Sequence, residues 1–406
     1  MRSARIAIVG AGPAGLAAAL AARHAGLEVT VFEKALDFHR GYDGVVLQSN
    51  GLRALAVLGV LDALQPLIRC SPQFTLELVT GQRLLTFEYG HLPGRYPFAA
   101  VVQRRQLQEY LLSAAEWHDV SIHFGHRCTG LTMRQGEVCL RFANGTQHRC
   151  DVVIGSDGSF SQVRESVGLP AMQRSPRGAY LRGIANRPTA HSTIREIWGM
   201  DGRRFMICPL PDGQTAFSCS VPFDGWRAIL KAQVEDWIDS WHSYGVEVLA
   251  LLRAVEDWQQ VSYNELHQVE LRTWSQPPVF LLGDAAHAML PWLNQSVNSA
   301  LVDALVLMEL LAPALHSGGD LQAVGRTYEQ VRRSIVSQTQ RMARRWHTMS
   351  AWSSFPARLS RDTVLKYWHG LGWTSRRMLL LAAGYNAREE RFFHEKGDHD
   401  QIVHGC

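Results

Sequence analysis

The alternation of apolar and polar residues over the first fifty positions predicts a strand, a helix and a second strand. Residues 6–9 form a short apolar run that is typical of a buried strand, and residues 14–25 are rich in Ala and Leu, which favours a helix. Gly26 is expected to end that helix, and residues 27–33 predict the second strand. Short turns between these elements are typical of the beginning of an α/β domain.

Further along the chain, the pattern predicts hairpins, then a region rich in strands, and finally a helical end. The Asn144-Gly145 dipeptide between two apolar runs is a strong hairpin signal. We expect Pro313 to end a long helix, and beyond Gly319 the chain is predicted to be largely helical. The predicted helices cover residues 50–64, 104–116, 226–244 and 297–311, and the predicted strands cover residues 74–79, 83–87, 138–142, 147–154, 180–184, 194–198, 204–209, 215–221 and 279–282.

Composition and charge exclude several classes of protein. The chain has 406 residues, of which 46% are hydrophobic and 19% are charged, as expected for a folded chain of two or three domains. A net charge of +4, from 41 basic and 37 acidic residues, is too weak and diffuse to predict a nucleic-acid partner. No apolar run reaches the roughly 18 residues that span a bilayer, so we expect no stable membrane insertion.

The cysteines and the N-terminus predict a cytoplasmic protein. The seven cysteines are odd in number and include no CxxC pair, so we predict neither a disulfide framework nor a bound metal. The chain opens on a strand pattern and a glycine-rich turn, and not on an export signal. A reducing compartment fits both observations.

The turn after the first strand has the spacing of a dinucleotide-binding turn, Gly10-Ala11-Gly12-Pro13-Ala14-Gly15. The first glycine permits the tight turn, the second lets the backbone approach a pyrophosphate, and the third lets helix and strand pack closely. The N-terminus of the helix supplies N–H groups and a partial positive charge. Glu33 ends the second strand, where it would accept hydrogen bonds from an adenosine ribose. We predict that Lys34, the next residue, also contacts the cofactor. This pattern predicts a dinucleotide without choosing between FAD and NAD.

Three further segments resemble the FAD-dependent aromatic hydroxylase family, the single-component flavin monooxygenases similar to para-hydroxybenzoate hydroxylase. Residues 151–164, with Asp157-Gly158 at their centre, resemble the family's DG motif. Residues 279–287, with Gly283-Asp284, resemble its GD motif, and Pro291 follows. Arg104, which opens a predicted helix, resembles the family's arginine that reaches the FAD phosphates. Matching landmarks extend from residue 5 to residue 335.

The resemblance implies an α/β fold: a Rossmann-like FAD-binding domain, an inserted β-sheet substrate domain and a helical C-terminal region. The implied FAD-binding domain is discontinuous. It comprises residues 1–72, 98–175 and 270–335, the substrate domain comprises residues 73–97 and 176–269, and the C-terminal region comprises residues 336–406. The Trp- and Arg-rich end is expected to pack as a helical cap or a dimer contact, with a membrane-surface or partner-binding helix as the alternative.

The same resemblance implies a tightly bound FAD and assigns its contacts. Asp284 would hold the ribityl hydroxyls, and Asp157 would organise the backbone near the pyrophosphate. A purely structural role, in a turn, a helix cap or the packed core, is the alternative for Asp157, Asp284 and His287. The implied FAD-binding residues are Gly10, Gly12, Ala14, Gly15, Glu33, Lys34, Arg40, Arg104, Asp157, Gly283, Asp284, Pro291, Gln295, Ser296, Val297 and Asn298.

Residues near the reacting groups are implied by the loop at 40–44 and by the strand-rich region. Pro291, Asp43 and Arg40 are the candidate catalytic residues, although Asp43 also fits a polar surface turn. The candidate substrate pocket consists of Tyr180, Arg182, Trp198, Phe205 and Pro209. Alternate residues of a strand point to one face, so only some of these can line a cavity, and most aromatic residues in such strands belong to the core.

One segment departs from the family. The family's Gly-Gln-Gly-x-Asn is replaced by Asn294-Gln295-Ser296-Val297-Asn298, so both glycines are lost. The N-terminus of the following helix can still stabilise negative charge on a reduced flavin, because that effect depends on backbone N–H groups. Side chains at 294 and 296 occupy space that the family leaves for close backbone approach, so we expect an unusual flavin position or weak FAD binding.

The function implied is an FAD-dependent monooxygenase. It would use NADH or NADPH as a transient reductant and O2 to hydroxylate or epoxidise a small aromatic or polycyclic molecule through a flavin C4a-hydroperoxide. A single dinucleotide turn fits transient docking of the nicotinamide on the FAD domain. The alternatives are a flavin reductase or oxidase on the same fold and a non-catalytic flavin- or intermediate-binding accessory protein; a halogenase is disfavoured because the WxWxIP stretch is absent. A monomer or homodimer is expected.

Overall fold

The computed structural model describes residues 4–37, 41, 43–134, 136–176, 178–221, 234–370 and 372–393. The strands are β1 (Arg5–Val9), β2 (Glu28–Phe32), β3 (Gly44–Leu47), β4 (Arg69–Ser71), β5 (Gln73–Leu78), β6 (Arg83–Glu88), β7 (Ala99–Gln103), β8 (Ser121–His123), β9 (Cys128–Arg134), β10 (Glu137–Phe142), β11 (Gln147–Cys150), β12 (Val152–Gly155), β13 (Ala171–Arg174), β14 (Ala179–Ala185), β15 (Ile194–Trp198), β16 (Arg204–Pro209), β17 (Thr215–Val221), β18 (Ser262–Glu265), β19 (Gln268–Leu271), β20 (Ser275–Gln276) and β21 (Val279–Leu281). The helices are α1 (Pro13–His24), α2 (Ser49–Val57), α3 (Leu61–Leu64), α4 (Arg104–Trp117), α5 (Gln162–Ser166), α6 (Val234–Asp239), α7 (Val246–Arg253), α8 (Asp284–His287), α9 (Gln295–Ser317), α10 (Leu321–Ser350), α11 (Phe355–Gly370) and α12 (Gly372–Ala382).

A mostly parallel sheet in the order β20-β21-β12-β1-β2-β8 brings the three sequence motifs together. The strands β21, β12, β1, β2 and β8 are parallel, and the edge strand β20 is antiparallel. Strands β1, β12 and β21 are almost continuous apolar runs because helices cover both faces of such a sheet. The buried Ala/Leu face of α1 packs against α9. The turns after β1, β12 and β21 therefore meet at one edge of the sheet.

A second, larger sheet lies opposite this edge of the parallel sheet. Its order is β18-β14-β17-β16-β15-β5-β6, and its neighbouring strands are antiparallel except for β15 and β5. One face packs on the core that contains Trp241 and α7. The other face contacts the C-terminal helices α10, α11 and α12 through Trp346, Leu365 and Leu379. These two sheets give the α/β fold with a helical C-terminal region that the resemblance implied.

Several predicted elements differ from the structure in ways that have a physical cause. The helix predicted at 50–64 is interrupted at Gly59, whose φ of +70° ends the helical path. The strand predicted at 147–154 consists of two strands in different sheets, because Cys150 still pairs with β10 whereas Val152 pairs with β1. Residues 226–233 of another predicted helix lie outside the described residues.

The prediction that Pro313 ends the long helix is wrong. Helix α9 continues through Pro313 to Ser317, and Gly318, with a φ of +70°, provides the left-handed residue that ends it. Pro313 lies on the exposed side of the helix, where water can satisfy the carbonyl that loses its partner.

The segment Trp292–Ser317 is the one helical segment, among the described residues, long and apolar enough to cross a membrane. Of its most apolar window, 72% is buried inside the protein, as in the core helix of many folded domains. Helix α9 packs against α1, α2 and α10, which accounts for its apolar composition.

Candidate active site

A cavity of about 840 Å³ lies between the motif edge of the parallel sheet and the second sheet. The turn before α1 lines one end, and strands β14, β15 and β16 line the other. The segment from Pro291 to Val297 lies between them. The elongated form of this cavity, from one helix N-terminus to an inner sheet face, fits an extended dinucleotide with room for a second, smaller molecule.

The glycine-rich turn is shaped to hold a pyrophosphate. Gly10 has a φ of +104°, and a Cβ there would lie 2.5 Å from the carbonyl oxygen of Ser156. A Cβ on Gly15 would lie 1.9 Å from the carbonyl oxygen of Gly10, so neither position admits a side chain. At Gly12 the corresponding space is open, and no side chain caps the N-terminus of α1. The first N–H groups of α1 are thus directed into the cavity, as a phosphate ligand requires.

Glu33 organises the turn itself. Its Oε2 accepts a hydrogen bond of 2.8 Å from the Ala11 amide, and its Oε1 accepts one of 2.9 Å from the Ala35 amide. Each carboxylate oxygen retains a second lone pair, so these bonds orient Glu33 without excluding a ribose hydroxyl. Lys34 is exposed.

The DG motif supports the neighbouring loops from behind the cavity. The Asp157 carboxylate accepts hydrogen bonds from the Ser161 hydroxyl and from the amides of Gln162 and Val163, which caps α5. Burial raises the pKa of Asp157, and these hydrogen bonds oppose the rise. The buried Arg164 donates hydrogen bonds of 2.9 Å to the carbonyls of Ser159 and Ala285, so it ties the DG motif to the GD motif.

The GD turn is fixed by a buried ionic cluster. Gly283 has a φ of +59°, and its amide donates to Asp303 Oδ2. His287 Nε2 lies 2.6 Å from the same oxygen, and Arg332 Nε donates to Asp303 Oδ1 at 2.7 Å. His287 does not line the cavity, so its place in the structure is that of a packed residue. Asp284, by contrast, lines the cavity and accepts a hydrogen bond from Ser296.

The N-terminus of α9 opens into the cavity through an unusual backbone. Leu293 and Asn294 have φ angles of +64° and +53°, a left-handed conformation in which Asn is tolerated better than other non-glycine residues. No side chain caps α9, and Ser296 and Val297 line the cavity. The uncapped first turn therefore presents N–H groups and a partial positive charge to whatever lies beside Pro291.

Gln295 and Asn298 do not extend their side chains into the cavity. The Gln295 carboxamide exchanges hydrogen bonds with Asn50 and donates to the Ala382 carbonyl, whereas the Asn298 carboxamide bonds the backbone of Val46 and Gln48. Both side-chain amides have partners within the protein, so a contact of either residue with FAD, which stays a prediction, would have to come from the backbone.

The loop before β3 places Asp43 inside the protein. Arg40, which was predicted to bind FAD and to take part in catalysis, lies outside the described residues. Asp43 is buried, which excludes the surface-turn interpretation. Its two carboxylate oxygens share a bifurcated hydrogen bond from Arg104 Nε, at 2.9 and 3.0 Å. Arg182 lies 3.8 Å from the same carboxylate, and burial lowers its pKa while Asp43 opposes that change. All three residues line the cavity, and within the described part of the chain no hydrogen bond engages the terminal nitrogens of Arg104.

The five residues predicted for the substrate pocket do not all face the cavity. Tyr180 and Arg182 line the cavity, but Trp198, Phe205 and Pro209 do not. Phe205 points to the opposite face of β16, where it packs against Phe217 and Trp241, and Pro209 shares that face by alternation. Trp198 lies on the inner face but is covered by Trp346 and Arg361.

The polar residues of the inner face were not among the predicted site residues. Glu196 on β15 and Arg204 on β16 line the cavity, together with Met206 and Cys208. The alternation of β16 could have predicted them, since residues 204, 206 and 208 share one face of the strand and all three line the cavity. Charged residues are rarely buried unless they are paired, so a charged residue at an inward position of an apolar strand is more informative than an aromatic one.

Comparison with known proteins identifies the family. The family described as "FAD binding domain" matches residues 3–343. The 3-amino-4-hydroxybenzoate 2-monooxygenase of Streptomyces cremeus is 29% identical over 369 residues, which cover 85% of this chain and 87% of that protein. Salicylate hydroxylase of Pseudomonas putida is 28% identical over 376 residues, which cover 85% of each protein.

Solved structures share the fold. The structure of Klebsiella pneumoniae HpxO complexed with FAD and uric acid superposes with a TM-score of 0.80 at 23% identity, covering 94% of this chain and 97% of that one. The p-nitrophenol 4-monooxygenase PnpA of Pseudomonas putida gives a TM-score of 0.81 at 18% identity, covering 95% and 100%.

The chain therefore belongs to the FAD binding domain family, and the resemblance found in the sequence is confirmed. It is an FAD-dependent monooxygenase of the aromatic hydroxylase type, whose cofactors are FAD, NAD(P)H and O2. The shape of the glycine-rich turn and the open N-terminus of α1 fit the cofactor that the family binds.

Proposed function

We propose that the protein hydroxylates a small aromatic substrate held against the inner face of the second sheet. The observation that carries this proposal is the arrangement of two uncapped helix N-termini along one cavity. The first turn of α1 would bind the diphosphate of FAD, and the first turn of α9 would stabilise negative charge at the flavin end. The remaining volume lies beside β14, β15 and β16, where a substrate fits.

The residues of this chain would position the cofactor and protect the reaction. Asp284 is placed to accept hydrogen bonds from a polyhydroxyl chain, and Arg104, oriented by Asp43, to bind a phosphate or a carbonyl. When bound and reduced, FAD supplies the oxygen-activating chemistry that no side chain can provide. Met206, Met289 and Trp292 give the cavity an apolar lining that excludes water from the reacting groups. Pro291 and Asp43 remain the candidate residues nearest to the reaction.

The finer organisation of the protein follows from the same reasoning. We propose that residues 1–72, 98–175 and 270–335 form the FAD-binding domain, and that residues 73–97 and 176–269 form the substrate domain. NADH or NADPH would dock transiently on the former, as the single dinucleotide turn suggests. We expect the protein to be a monomer or a homodimer. A cytoplasmic location would give it access to reduced nicotinamide.

The decisive experiment measures coupling between NAD(P)H consumption and oxygenated product. The purified protein should be yellow, and one member of a panel that includes salicylate and 3-amino-4-hydroxybenzoate should stimulate NAD(P)H oxidation and yield a hydroxylated product. Stimulated oxidation that yields only hydrogen peroxide would instead support an oxidase or reductase. A protein that binds flavin but shows no turnover with any substrate would support the accessory function.

A further inference from the structure

The inner face of the second sheet carries a buried pair of opposite charges. Glu196 on β15 and Arg204 on β16 occupy neighbouring strands, and their side chains are 7% and 4% exposed. Arg204 Nη1 lies 3.8 Å from Glu196 Oε1, a distance that allows an ion pair but is too long for a hydrogen bond. Both residues line the cavity that would hold the substrate.

Each member of this pair has an unused hydrogen-bonding group. Glu196 Oε1 accepts a hydrogen bond of 2.8 Å from Trp198 Nε1, and its Oε2 has no partner in the described part of the chain. Arg204 Nη1 is buried and has no hydrogen-bond partner there either. A buried polar group without a partner is costly, so its presence calls for an explanation such as a bound ligand. Both side chains line the cavity, so its wall offers the Glu196 carboxylate as an acceptor beside the Arg204 guanidinium as a donor.

The pair is held rigidly. The Arg204 guanidinium lies over the ring of Trp292 and 5.1 Å from the centre of the Tyr180 ring, so two aromatic residues fix its plane. The bond from Trp198 fixes which oxygen of Glu196 faces the cavity. A rigid pair of this kind discriminates between ligands, because neither side chain can turn to suit a poorly matched one.

We infer that Glu196 and Arg204 select aromatic substrates that carry a hydrogen-bond donor and an acceptor on neighbouring ring atoms, such as an amino or hydroxyl group beside a carboxylate or carbonyl. The acceptor group binds Arg204 and the donor group binds Glu196. Groups on neighbouring ring atoms lie close enough to contact both side chains at once, whereas groups on opposite ring atoms cannot. This inference rests on the proposed function and narrows its substrate class.

Calorimetry on the FAD-loaded protein tests the inference without turnover. Burial raises the pKa of Glu196 to about 7, so titrations at pH 8 keep its carboxylate ionised and able to accept. The probes are 2-aminobenzoate, its isomer 4-aminobenzoate, and benzene-1,2-dicarboxylate, which offers two neighbouring acceptors. We expect 2-aminobenzoate to bind at least about tenfold more tightly than either other probe, because each of those leaves a buried group unpaired or opposed.

The variant Glu196→Gln should reverse the preference between the probes, because it replaces the acceptor in the cavity wall with a donor. Its Oε1 still accepts from Trp198, so its amide NH2 faces the cavity and the wall presents two donors. We expect the variant to prefer benzene-1,2-dicarboxylate over 2-aminobenzoate, a gain of binding that misfolding cannot produce. Glu77→Gln is the matched control: Glu77 lies on the adjacent strand β5 and pairs with Arg195, outside the cavity, and it should leave the preference unchanged.

The wild-type comparison and the variant give independent ways to overturn the inference. Equal affinity for 2- and 4-aminobenzoate, absence of binding by all three probes, or an unchanged preference in Glu196→Gln would each refute it. None of these results affects the proposed hydroxylase function, which fails separately if the protein does not bind FAD or couple NAD(P)H oxidation to an oxygenated product.

Discussion

Ser296 Oγ donates a hydrogen bond of 2.7 Å to Asp284 Oδ1, which joins the first turn of α9 to the turn that follows β21. Asp284 is the carboxylate proposed to hold the ribityl chain of FAD, and Ser296 stands where the family usually has glycine. The serine at this position therefore does more than fill space, because its hydroxyl bonds Asp284 Oδ1, an atom that the cofactor would use.

Removal of the Ser296 hydroxyl should strengthen FAD binding. In Ser296→Ala, the ribityl chain no longer shares Asp284 Oδ1 with the serine hydroxyl, and we expect FAD to bind about three- to tenfold more tightly, the effect of one hydrogen bond of ~1 kcal/mol. Ser296→Gly also removes the Cβ, so any further gain reports on close backbone approach. Fluorescence titration of the deflavinated protein with FAD measures both effects.

Ser317→Ala provides the control, because Ser317 lies at the other end of α9, where its hydroxyl donates to the Pro313 carbonyl. FAD affinity should not change in that variant. Weaker FAD binding by Ser296→Ala would show the opposite relationship, in which the serine orients the carboxylate for the cofactor.

Asn294 should tolerate glycine but not alanine. Its φ of +53° is a left-handed conformation that costs a residue with a Cβ on the order of 1 kcal/mol, a cost that Asn bears better than Ala does. We expect Asn294→Ala to lower the free energy of unfolding by about 1 kcal/mol and Asn294→Gly to change it by less than ~0.5 kcal/mol. Urea unfolding compares the two, and equal values for both variants would show that the backbone there relaxes.

The turns could be read from the sequence because glycine spacing reports directly on the backbone. Gly10, Gly15 and Gly283 each occupy a position where the structure admits no side chain or requires a positive φ. The strands at 194–198, 204–209 and 215–221 also have the predicted bounds, since alternating apolar positions between turn residues define them.

Side-chain direction could not be read in the same way. Gln295 and Asn298 follow the family spacing, yet their amides face Ala382 and Val46, partners that lie far away in the sequence. Trp198 points inward as its strand predicts, but it is covered by Trp346, which lies more than 140 residues later in the chain. Contacts between distant segments decide these cases, and no local pattern reports them.

Arg164 should contribute strongly to stability because it links two motif loops. Its guanidinium donates to the carbonyls of Ser159 and Ala285 and is almost fully buried. Arg164→Met keeps the length of the side chain but leaves both carbonyls unpaired, so we expect the free energy of unfolding to fall by about 2–4 kcal/mol. Arg134→Met, at an exposed position, should change it by less than ~0.5 kcal/mol. Similar values for the two variants would mean that the loops are held by other contacts.

Asp303 should make the stability of the protein depend on acid pH. Burial opposes ionisation of Asp303, but the positive charges of His287 and Arg332 outweigh it and lower the pKa to about 2. The unfolded chain binds a proton at this carboxylate near pH 4, whereas the folded protein binds it only near pH 2. The ionised carboxylate thus contributes about 2 kcal/mol of stability above pH 4, and this contribution is lost as the pH falls toward 2.

The variant Asp303→Asn removes this titration while it keeps the shape of the side chain. Urea unfolding at pH 7, 5, 4 and 3 should show a stability deficit relative to the wild type that is largest at pH 7 and shrinks below pH 4, by up to about 2 kcal/mol. Asp62→Asn, at an exposed position on α3, should show no such trend. A deficit that grows as the pH falls would mean that the folded protein binds the proton more readily than the unfolded chain, which contradicts the charge arrangement around Arg332.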